Sequence, residues 1–463
     1  MSGRIGVISL GCSKNRINTE QMMYLLSSAG YDVSGEIENA DVVLVNTCGF
    51  IESAKSEAIE LIVELIDAKN QGVIGKLVVA GCLPERHKDE ILLDLPEIDV
   101  VLGTGSFDDI VEAVCNAAGI SGGTNTIKKE FYGDIDAPVS ETSRIITTSP
   151  IWAYLKVAEG CDNRCSYCCI PAIRGKFRSR PMEKIIEEAG KLALSGIGEL
   201  IIVAQDVTNY GRDIYGEKKL TALLKALNSL ENLRWIRLHY LYPDEICDEL
   251  IDVIAESDKI LPYLDIPIQH INDEILKKMN RRGTGEEIRA LFNRIRERIP
   301  GAVLRTSLIT GLPGEGEAEF SQLCDFLEEA KIERVGVFAY CPEEGTEAAL
   351  MERPSKETAE KRAETVSKLQ SEIMNKFNES RIGDTVTVLV ENDIIIPQEP
   401  EVQKSGSQEE AYYMARSAAE SPEVDGYIRI RPSHDNPGAI HPNTFIDVRI
   451  IGIEDGELVG EPL

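Results

Sequence analysis

The sequence predicts an α/β protein of three domains, on the strength of three observations. The chain has 463 residues, which is too long for one compact core. Short apolar runs alternate with helical patterns up to about residue 380, as in parallel α/β folds. After that point only short strand patterns follow. We therefore expect an N-terminal parallel α/β domain at residues 1–120, a linker at 121–149, a central partial (β/α)6 barrel at 150–380 and a small C-terminal all-β barrel at 381–463.

The N-terminal domain is predicted from three strands and two helices in alternation. The strands are expected at residues 4–10, 41–45 and 76–80, and the helices at 18–29 and 53–68. Ser53 is a favourable N-cap residue for the second helix. Residues 121–150 gather Gly, Ser, Thr and Asp, the composition of a linker or surface excursion.

The central domain is predicted from six strands, each separated from the next by enough chain for a helix. These strands are expected at residues 152–158, 199–204, 235–239, 263–268, 303–309 and 334–339. A barrel of this kind binds its ligands at the carboxyl ends of the strands. A charged helix at 357–380 leads to tail strands at 384–390, 426–430 and 445–450.

Composition and charge narrow the classes of protein. The chain is 43% hydrophobic and 27% charged, as in ordinary globular proteins. Its 49 basic and 78 acidic residues give a net charge of -29, which repels nucleic acids and anionic membranes and attracts basic proteins. No apolar run is long enough to cross a bilayer, so we expect a cytoplasmic protein without a membrane partner. Eleven cysteines in a reducing compartment indicate metal or redox chemistry.

The strongest motif is a C-x3-C-x2-C sequence directly after a predicted strand. It comprises Cys161, Cys165 and Cys168. Three thiolates this close in sequence can hold a [4Fe-4S] cube and leave one iron open for a reactive ligand. The alternative is a zinc knuckle, but a structural zinc site needs a fourth ligand, which the adjacent Cys169 cannot easily supply.

Three further cysteines share one position relative to predicted strands. Cys12, Cys48 and Cys82 each follow an apolar run, and each has a glycine next to it. In a parallel sheet all three would emerge at the carboxyl edge, where α/β folds bind ligands. This pattern favours a second cluster with three protein ligands, although any one of these cysteines by itself would more simply be a small buried apolar residue. The other cysteines have no common position and are expected to be structural: Cys115, Cys169, Cys247, Cys324 and Cys341.

The cysteine motif, with its aromatic residue Tyr167, resembles the radical S-adenosylmethionine (SAM) motif. Together with the three earlier cysteines and the all-β tail, the whole chain resembles the radical SAM methylthiotransferase family. Other segments agree with that family: Ile173-Arg174-Gly175, Arg178-Ser179-Arg180-Pro181, Asp265-Ile266-Pro267-Ile268-Gln269-His270, Met279-Asn280-Arg281-Arg282 and Gly311-Leu312-Pro313-Gly314-Glu315. The resemblance implies a TIM-like radical SAM barrel and a C-terminal barrel of the TRAM type that recognises the substrate.

The resemblance also implies the cofactors and the metal ligands. Cys161, Cys165 and Cys168 would hold a [4Fe-4S] cluster that cleaves SAM, and Cys12, Cys48 and Cys82 a second one that presents sulfur. SAM would serve as both radical source and methyl donor. Tyr167, Glu199, Gln205, Gly311 and Gly314 stand where they could contact SAM. For Tyr167 and for the glycines, packing and a simple turn are the alternatives.

Two substrates are compatible with this family. Val203-Ala204-Gln205-Asp206-Val207-Thr208 and the tail segment around Ala415 resemble the branch that methylthiolates the β-carbon of an aspartate in small-subunit ribosomal protein twelve. The alternative branch modifies a tRNA adenosine. From residue 381 onward the tail carries 6 basic and 16 acidic residues, which suits a basic ribosomal protein better than phosphates. Nucleic acid is therefore not expected as the direct substrate, and a flavodoxin or ferredoxin is the implied reductant. A third possibility is a non-catalytic iron–sulfur or zinc binding module.

A basic patch follows the cysteine motif. Arg174, Arg178 and Arg180 could bind a carboxylate of the substrate or of SAM, or could pair with the protein's own acids. His239 and His270 lie near predicted strand ends and are expected to be hydrogen-bonded core residues. The tail holds a polar stretch at residues 397–410, and its segment Ala418-Ala419-Glu420-Ser421 is looser than the pattern of the protein-modifying branch.

Overall fold

A computed structural model describes residues 3–119, 128–392, 395, 412–432 and 440–463 of the chain. The polar stretch at 397–410 and part of the predicted linker lie outside these residues. Within the described ranges, no helix is both long and apolar enough to cross a membrane.

The N-terminal domain is a parallel sheet with helices on both faces. Its strands are β1 (Arg4–Ser9), β2 (Asp32–Ser34), β3 (Val42–Thr47), β4 (Lys76–Gly81), β5 (Val100–Leu102) and β6 (Glu130–Phe131), in the order β2-β1-β3-β4-β5-β6. Its helices are α1 (Ser13–Ser28), α2 (Glu52–Asn70), α3 (Cys82–Arg86), α4 (Ile91–Asp94) and α5 (Ile110–Ala117). Every residue of β3 is buried, because a central parallel strand is covered on both sides.

Three details of this domain differ from the sequence prediction. Helix α1 begins at Ser13, five residues earlier than predicted, so that Cys12 precedes its first turn. Helix α2 begins at Glu52, and Ser53 makes no cap. Instead, the Glu52 backbone N–H donates to Glu343 Oε1 of the central domain at 3.1 Å, which satisfies a free helix-end donor. Strand β6 lies within the predicted linker and pairs with β5.

The central domain is a partial barrel of parallel strands surrounded by helices. The sheet order is β14-β13-β12-β11-β10-β7, from β7 (Trp152–Lys156), β10 (Glu199–Val203), β11 (Trp235–Leu238), β12 (Ile260–Asp265), β13 (Val303–Thr310) and β14 (Arg334–Ala339), while β8 (Ala158–Glu159) and β9 (Arg178–Ser179) form a small antiparallel pair. The helices are α6 (Ile170–Arg174), α7 (Met182–Leu194), α8 (Arg212–Tyr215), α9 (Leu220–Asn228), α10 (Asp248–Ala255), α11 (Asp273–Lys278), α12 (Gly285–Arg298), α13 (Glu317–Ala330) and α14 (Lys356–Ser380). The strands fall where the sequence predicts them, except β12.

Strand β12 begins three residues before its predicted start. Pro262 lies inside it, although proline lacks a donor for the strand ladder. The register between β11 and β12 is irregular at this point, between Ile236 and Leu238. The irregularity accommodates the proline within the strand.

The C-terminal domain is a closed barrel, in the order β15-β16-β17-β19-β18. Its strands are β15 (Thr385–Val390), β16 (Tyr413–Arg416), β17 (Ile428–Ile430), β18 (Thr444–Glu454) and β19 (Glu457–Pro462). The loop from β16 to β17, residues 417–427, packs against the inner face of the central barrel. There Ala418 and Ala419 join an apolar cluster with Ile201, Val203 and Tyr263. The alternate residues Leu200 and Ile202 face the outer helices, as the two-residue period of a strand requires.

Candidate functional site: two cysteine triads at a domain junction

The first triad lies at the carboxyl edge of the N-terminal sheet. Cys48 and Cys82 directly follow β3 and β4, and Cys12 follows β1 by three residues. These three strands are neighbours in the sheet. The carboxyl ends of parallel strands meet at one edge, so the three thiols lie together, as the sequence predicts.

Glycines allow the backbone around this triad to approach closely. Gly11 has a φ of 89°, and a Cβ built on it would lie 2.7 Å from Cys48 Cβ and 3.3 Å from its sulfur. Gly81 has a φ of 105°, and its Cβ would lie 2.9 Å from the Thr47 backbone nitrogen. Side chains at either position would force the strand ends apart, so both glycines are needed for the cysteines to converge.

The three thiols influence one another electrostatically. Burial and the neighbouring Cys82 raise the pKa of Cys48 to about 12. Burial likewise raises the pKa of Cys82, although Arg174 opposes this. Desolvation by the surrounding protein would raise the pKa of Cys12, but the positive charges of Lys14 and Arg174 outweigh this effect and lower the pKa below its ordinary value. Without a metal, the triad therefore resists forming three thiolates, and a cationic iron cluster would supply the missing compensation.

The second triad lies on the loop between β8 and α6, at the carboxyl side of the central barrel. Cys161, Cys165 and Cys168 all line a cavity of about 770 Å³ whose far wall is Glu85, Arg86 and His87 of the N-terminal domain. Burial raises the pKa of Cys161 to about 11 and raises that of Cys168 as well, with the other thiols of the triad adding to the effect. Three soft ligands at one open cavity suit a cluster with a free iron.

The number of ligands in each triad suits a cluster. Three cysteines can bind three of the four irons of a [4Fe-4S] cube and leave the fourth iron open. A structural zinc site would need a fourth protein ligand in addition.

Arg174, at the end of α6, links the first triad to the segment that precedes the second triad. Its guanidinium donates to Cys82 Sγ at 3.2 Å, to Asn15 Oδ1 at 3.0 Å and to Asn18 Oδ1 at 2.8 Å. It also pairs with Glu159 Oε2 at 3.5 Å. Burial would raise the pKa of Glu159, but Lys156 and Arg174 lower it to about 2. Arg174 is therefore a buried clamp between the two domains, and it is not free to bind a substrate carboxylate.

The other two arginines of the predicted basic patch are also engaged within the protein. Arg178 donates to the backbone oxygens of Arg174 and Lys176 at 3.1 and 3.0 Å. Arg180 pairs with Glu141 and Glu188 at 2.6 and 2.7 Å. The basic patch therefore bonds within the protein, as the alternative interpretation expects, and most of the surface of these two arginine side chains is buried.

Tyr167, predicted to contact SAM, lies in a cluster of aromatic and arginine side chains that the sequence does not indicate. Its hydroxyl accepts from Arg281 Nη1 at 3.2 Å. Arg281 also lies over the ring of Tyr242, whose hydroxyl is 3.7 Å from Cys165 Sγ. Arg281 belongs to a motif noted in the sequence. That motif does not indicate a contact with Cys165, because the contact also involves Tyr242, which lies on a different loop.

The remaining predicted SAM contacts separate into two groups. Gln205 follows β10 on the cluster side and donates to Glu159 Oε1 at 2.6 Å, while its own Oε1 is buried and has no hydrogen-bond partner among the described residues. Glu199 begins β10, at the opposite end of the barrel. Both its oxygens accept from arginines, from Arg237 and Arg416 at 2.8 Å each. The prediction that Glu199 contacts SAM is not supported by this position.

The two predicted glycines are explained by packing. A Cβ on Gly311 would clash with Cβ of Ala359 on α14, and one on Gly314 would clash with the Lys278 side chain. Both residues have a positive φ, 76° and 86°. Their freedom is therefore needed for the turn and its contact with the helix, whatever else they contact.

The histidines and the remaining cysteine near the site behave as expected. His239 Nε2 lies 2.8 Å from Ser421 Oγ, and His270 Nδ1 accepts from the Asn272 backbone at 3.0 Å. Both histidines are buried. Cys169 packs with Cys82 and Ile173 in a small apolar cluster, consistent with a structural role.

Family models match all three parts of the chain. Residues 155–327 match the Radical SAM superfamily, residues 382–463 match the TRAM domain, and residues 4–103 match a model described as Uncharacterized protein family UPF0004. These matches agree with the parallel sheet, the partial barrel and the closed barrel described above.

Solved structures share the fold at low identity. One is TsrM of Kitasatospora setae, a radical SAM methyltransferase with cobalamin and a [4Fe-4S] cluster bound, with a TM-score of 0.55 and 14% identity over 73% of this chain and 75% of that one. Another is the cobalamin-dependent SAM radical enzyme OxsB, with a TM-score of 0.53 and 11% identity over 80% and 56%. At these identities the likeness concerns the fold alone.

Curated relatives are much more similar. The ribosomal protein uS12 methylthiotransferase RimO of Acetivibrio thermocellus is 43% identical over 100% of this chain and 98% of its own. The enzyme of the same name from Clostridioides difficile is 42% identical over 99% of both chains. With matches of this extent, the chain belongs to the RimO family of radical SAM methylthiotransferases.

Proposed function

We propose that this enzyme adds a methylthio group to the β-carbon of an aspartate in ribosomal protein uS12, using SAM and two [4Fe-4S] clusters. Cys161, Cys165 and Cys168 would hold one cluster. Cys12, Cys48 and Cys82 would hold the other. The observation that carries the proposal is that the two triads lie at one domain junction, where Arg174 contacts Cys82 of the first triad and Glu159, two residues before Cys161 of the second. Cleavage of a C–H bond and delivery of sulfur need two metal centres that face one substrate.

When bound, the clusters and SAM supply a radical that removes an unactivated hydrogen and a sulfur that replaces it. The chain's own residues hold and shield this chemistry. Arg281 and Tyr242 surround Cys165, and Gln205 orients Glu159 beside the motif. Glu85 and Arg86 of the N-terminal domain line the cavity at the second triad. The free oxygen of Gln205 is available to a bound hydroxyl or amine.

The choice of uS12 over tRNA is supported by the names of the relatives and by charge. The whole chain has a net charge of -29, and the part from residue 381 onward has 6 basic and 16 acidic side chains. Such a surface attracts a basic ribosomal protein and repels a phosphate backbone. We assign substrate recognition to the TRAM-type domain at 381–463, the iron–sulfur domain to 1–120, the linker to 121–149 and the radical SAM domain to 150–380.

The proposal also includes an electron donor and a location for the reaction. Reductive cleavage of SAM needs an electron donor such as a flavodoxin or a ferredoxin. The substrate, whether free uS12 or the ribosome carrying it, places the reaction in the cytoplasm.

The decisive experiment is mass spectrometry of ribosomal proteins and tRNA from a strain lacking the gene, complemented with the wild-type gene or with Cys161→Ala. We expect a uS12 peptide to lose the methylthio mass, about 46 Da, and to regain it only with the wild-type gene. If uS12 is unchanged and a tRNA adenosine loses its methylthio group instead, the tRNA alternative is correct and our proposal is wrong.

A further inference from the structure

Lys14 is a buried cation that lacks an acidic partner. Its side chain lies on the first turn of α1, two residues after Cys12, and it is only 7% exposed. In the part of the chain that the structure describes, no carboxylate forms an ion pair with it. Its ammonium instead lies 3.4 Å from the centroid of the Tyr240 ring. In a protein with 78 acidic residues, a buried lysine held only by an aromatic side chain is unusual, since buried charges are normally paired.

Comparison with nearby buried cations makes this exception clear. Lys156 pairs with Glu159 at 2.9 Å, and Arg237 pairs with Glu199 at 2.8 Å. Arg174 has Glu159 and several further acceptors. Each of these cations has a carboxylate partner within the fold, whereas Lys14 has none among the residues that the structure describes.

Tyr240 is held in a strained conformation beneath this ammonium. It follows β11 at the carboxyl side of the barrel and has a φ of 60°, which is a genuine outlier for a bulky side chain. Its backbone is fixed on both sides: its N–H donates to Asp265 Oδ2 at 3.1 Å, and its carbonyl accepts from Val207 at 3.1 Å. Such strain persists where the surrounding structure requires it, commonly at functional sites.

Lys14 lies where the two domains meet. It follows Cys12 of the first triad by two residues, and its ammonium rests on Tyr240 at the carboxyl side of the central barrel. The ammonium is therefore beside the junction at which we propose that the substrate binds.

We propose that Lys14 binds the side-chain carboxylate of the substrate aspartate, with Tyr240 as its platform. This inference rests on the proposed function, since it takes the substrate to be an aspartate. The carboxyl carbon of aspartate is bonded directly to the β-carbon. A cation that fixes the carboxylate therefore fixes the C–H bond that must be cleaved, and it distinguishes aspartate from asparagine. Lys14 would thus determine specificity without itself reacting.

The test compares the reconstituted wild-type enzyme with Lys14→Met, Lys14→Arg and, as a control, Lys191→Met on the exposed face of α7. The probes are a synthetic uS12 peptide with the modified aspartate and the same peptide with asparagine. We expect Lys14→Met to weaken peptide binding, measured by fluorescence anisotropy, and to raise KM by about tenfold or more. It should also lose the preference for aspartate, and Lys14→Arg should retain part of it. The ratio of aspartate-peptide to asparagine-peptide binding is the deciding readout, because a general loss of clusters or of fold would weaken the binding of both peptides alike.

Unchanged binding and unchanged aspartate preference in Lys14→Met would overturn the role of Lys14, while modification of the peptide by the wild type would leave the proposed function intact. A loss of binding that is equal for both peptides, with the aspartate preference kept, would also overturn it, because it would assign Lys14 to the fold or to the cofactors. A wild-type enzyme that leaves the peptide unmodified would refute the proposed function itself, and the role of Lys14 with it.

Discussion

Arg174 donates from one guanidinium to Asn15, Asn18 and Cys82 in the N-terminal domain, and pairs with Glu159 in the central one. Truncation would leave Glu159 and the amide oxygens buried without this donor. We expect Arg174→Gln to lower the free energy of unfolding by about 3–5 kcal/mol, the usual cost of breaking a buried pair. Thermal and denaturant unfolding measure this.

Arg178→Gln is the matched control, because Arg178 lies on the same segment but pairs with backbone oxygens and, at 3.8 Å, with the partly exposed Asp136. It should cost less than about 1 kcal/mol. Similar losses in both variants would contradict the view of Arg174 as the clamp between the domains.

Because the two triads are separate sites, a variant of one triad should lose the iron of that triad alone. A protein with both clusters carries about eight irons per chain. Cys82→Ala should reduce this to about four and leave reductive SAM cleavage intact, whereas Cys161→Ala should remove the other four together with cleavage. Cys115→Ala, at a thiol that contacts Tyr31, should keep all the iron. Complete loss of iron in Cys82→Ala would show that the sites are not independent.

These residues also show what the sequence can predict. Each cysteine of the first triad follows an apolar strand, and parallel strands end at one edge, so its position is fixed by local pattern. Lys14, Arg281 and Glu199 are different. Their partners Tyr240, Tyr242 and Arg416 are distant in the sequence, and no local pattern encodes which side chains meet.

At the scale of elements, a substitution in the turn after β13 tests whether Gly311 is needed for packing against α14. Gly311→Ala places a Cβ against Ala359 of α14, at a φ of 76°. We expect a loss of stability of about 1–3 kcal/mol from the strained φ and a further loss from the clash. Gly345→Ala separates the two effects, since Gly345 has a φ of 80° but nothing near its missing Cβ. Chemical denaturation should therefore find Gly311→Ala the less stable of the two. Equal losses would show that the contact with α14 is unimportant.

The elements were predictable to different degrees. The barrel strands β10, β11 and β14 coincide closely with the apolar runs, because buried parallel strands are continuously apolar. Strands β2, β5, β6, β9, β16 and β19 were not predicted. The first four are short and lack a recognisable period. Strands β16 and β19 depend on closure of the C-terminal barrel for their pairing.

At the scale of the whole molecule, the loop at 417–427 makes stability depend on pH. Burial of Glu420 would raise its pKa, but Arg381 and Arg334 lower it to about 2. A folded pKa below the ordinary value of 4.5 means that the stabilisation is complete above that value and is lost as pH falls toward 2. We expect Glu420→Gln to be less stable than the wild type at pH 7 by on the order of 3 kcal/mol. The difference should shrink below about pH 4.5, as calorimetry at several pH values would measure. A difference independent of pH would contradict this.

The overall charge predicts how the enzyme meets its substrate. With a net charge of -29, association with basic uS12 should be accelerated by long-range attraction, which salt screens. We expect the association rate, measured by stopped-flow fluorescence, to fall steeply between about 0.05 and 0.5 M salt while dissociation changes little. An association rate insensitive to salt would argue against steering.

The loop that leaves β16 has a consequence for how this architecture can change. Arg416 reaches Glu199, Ser421 reaches His239, and Asp425 reaches Tyr263, so the C-terminal barrel completes the interior of the central one. An exchange of the C-terminal barrel between relatives would also exchange the floor of the catalytic domain. We expect hybrids joined at residue 381 to fold only when the strand residues that receive this loop come from the same parent. Substrate range in this lineage would then change by point substitution within an intact chain, and domain shuffling would be selected against.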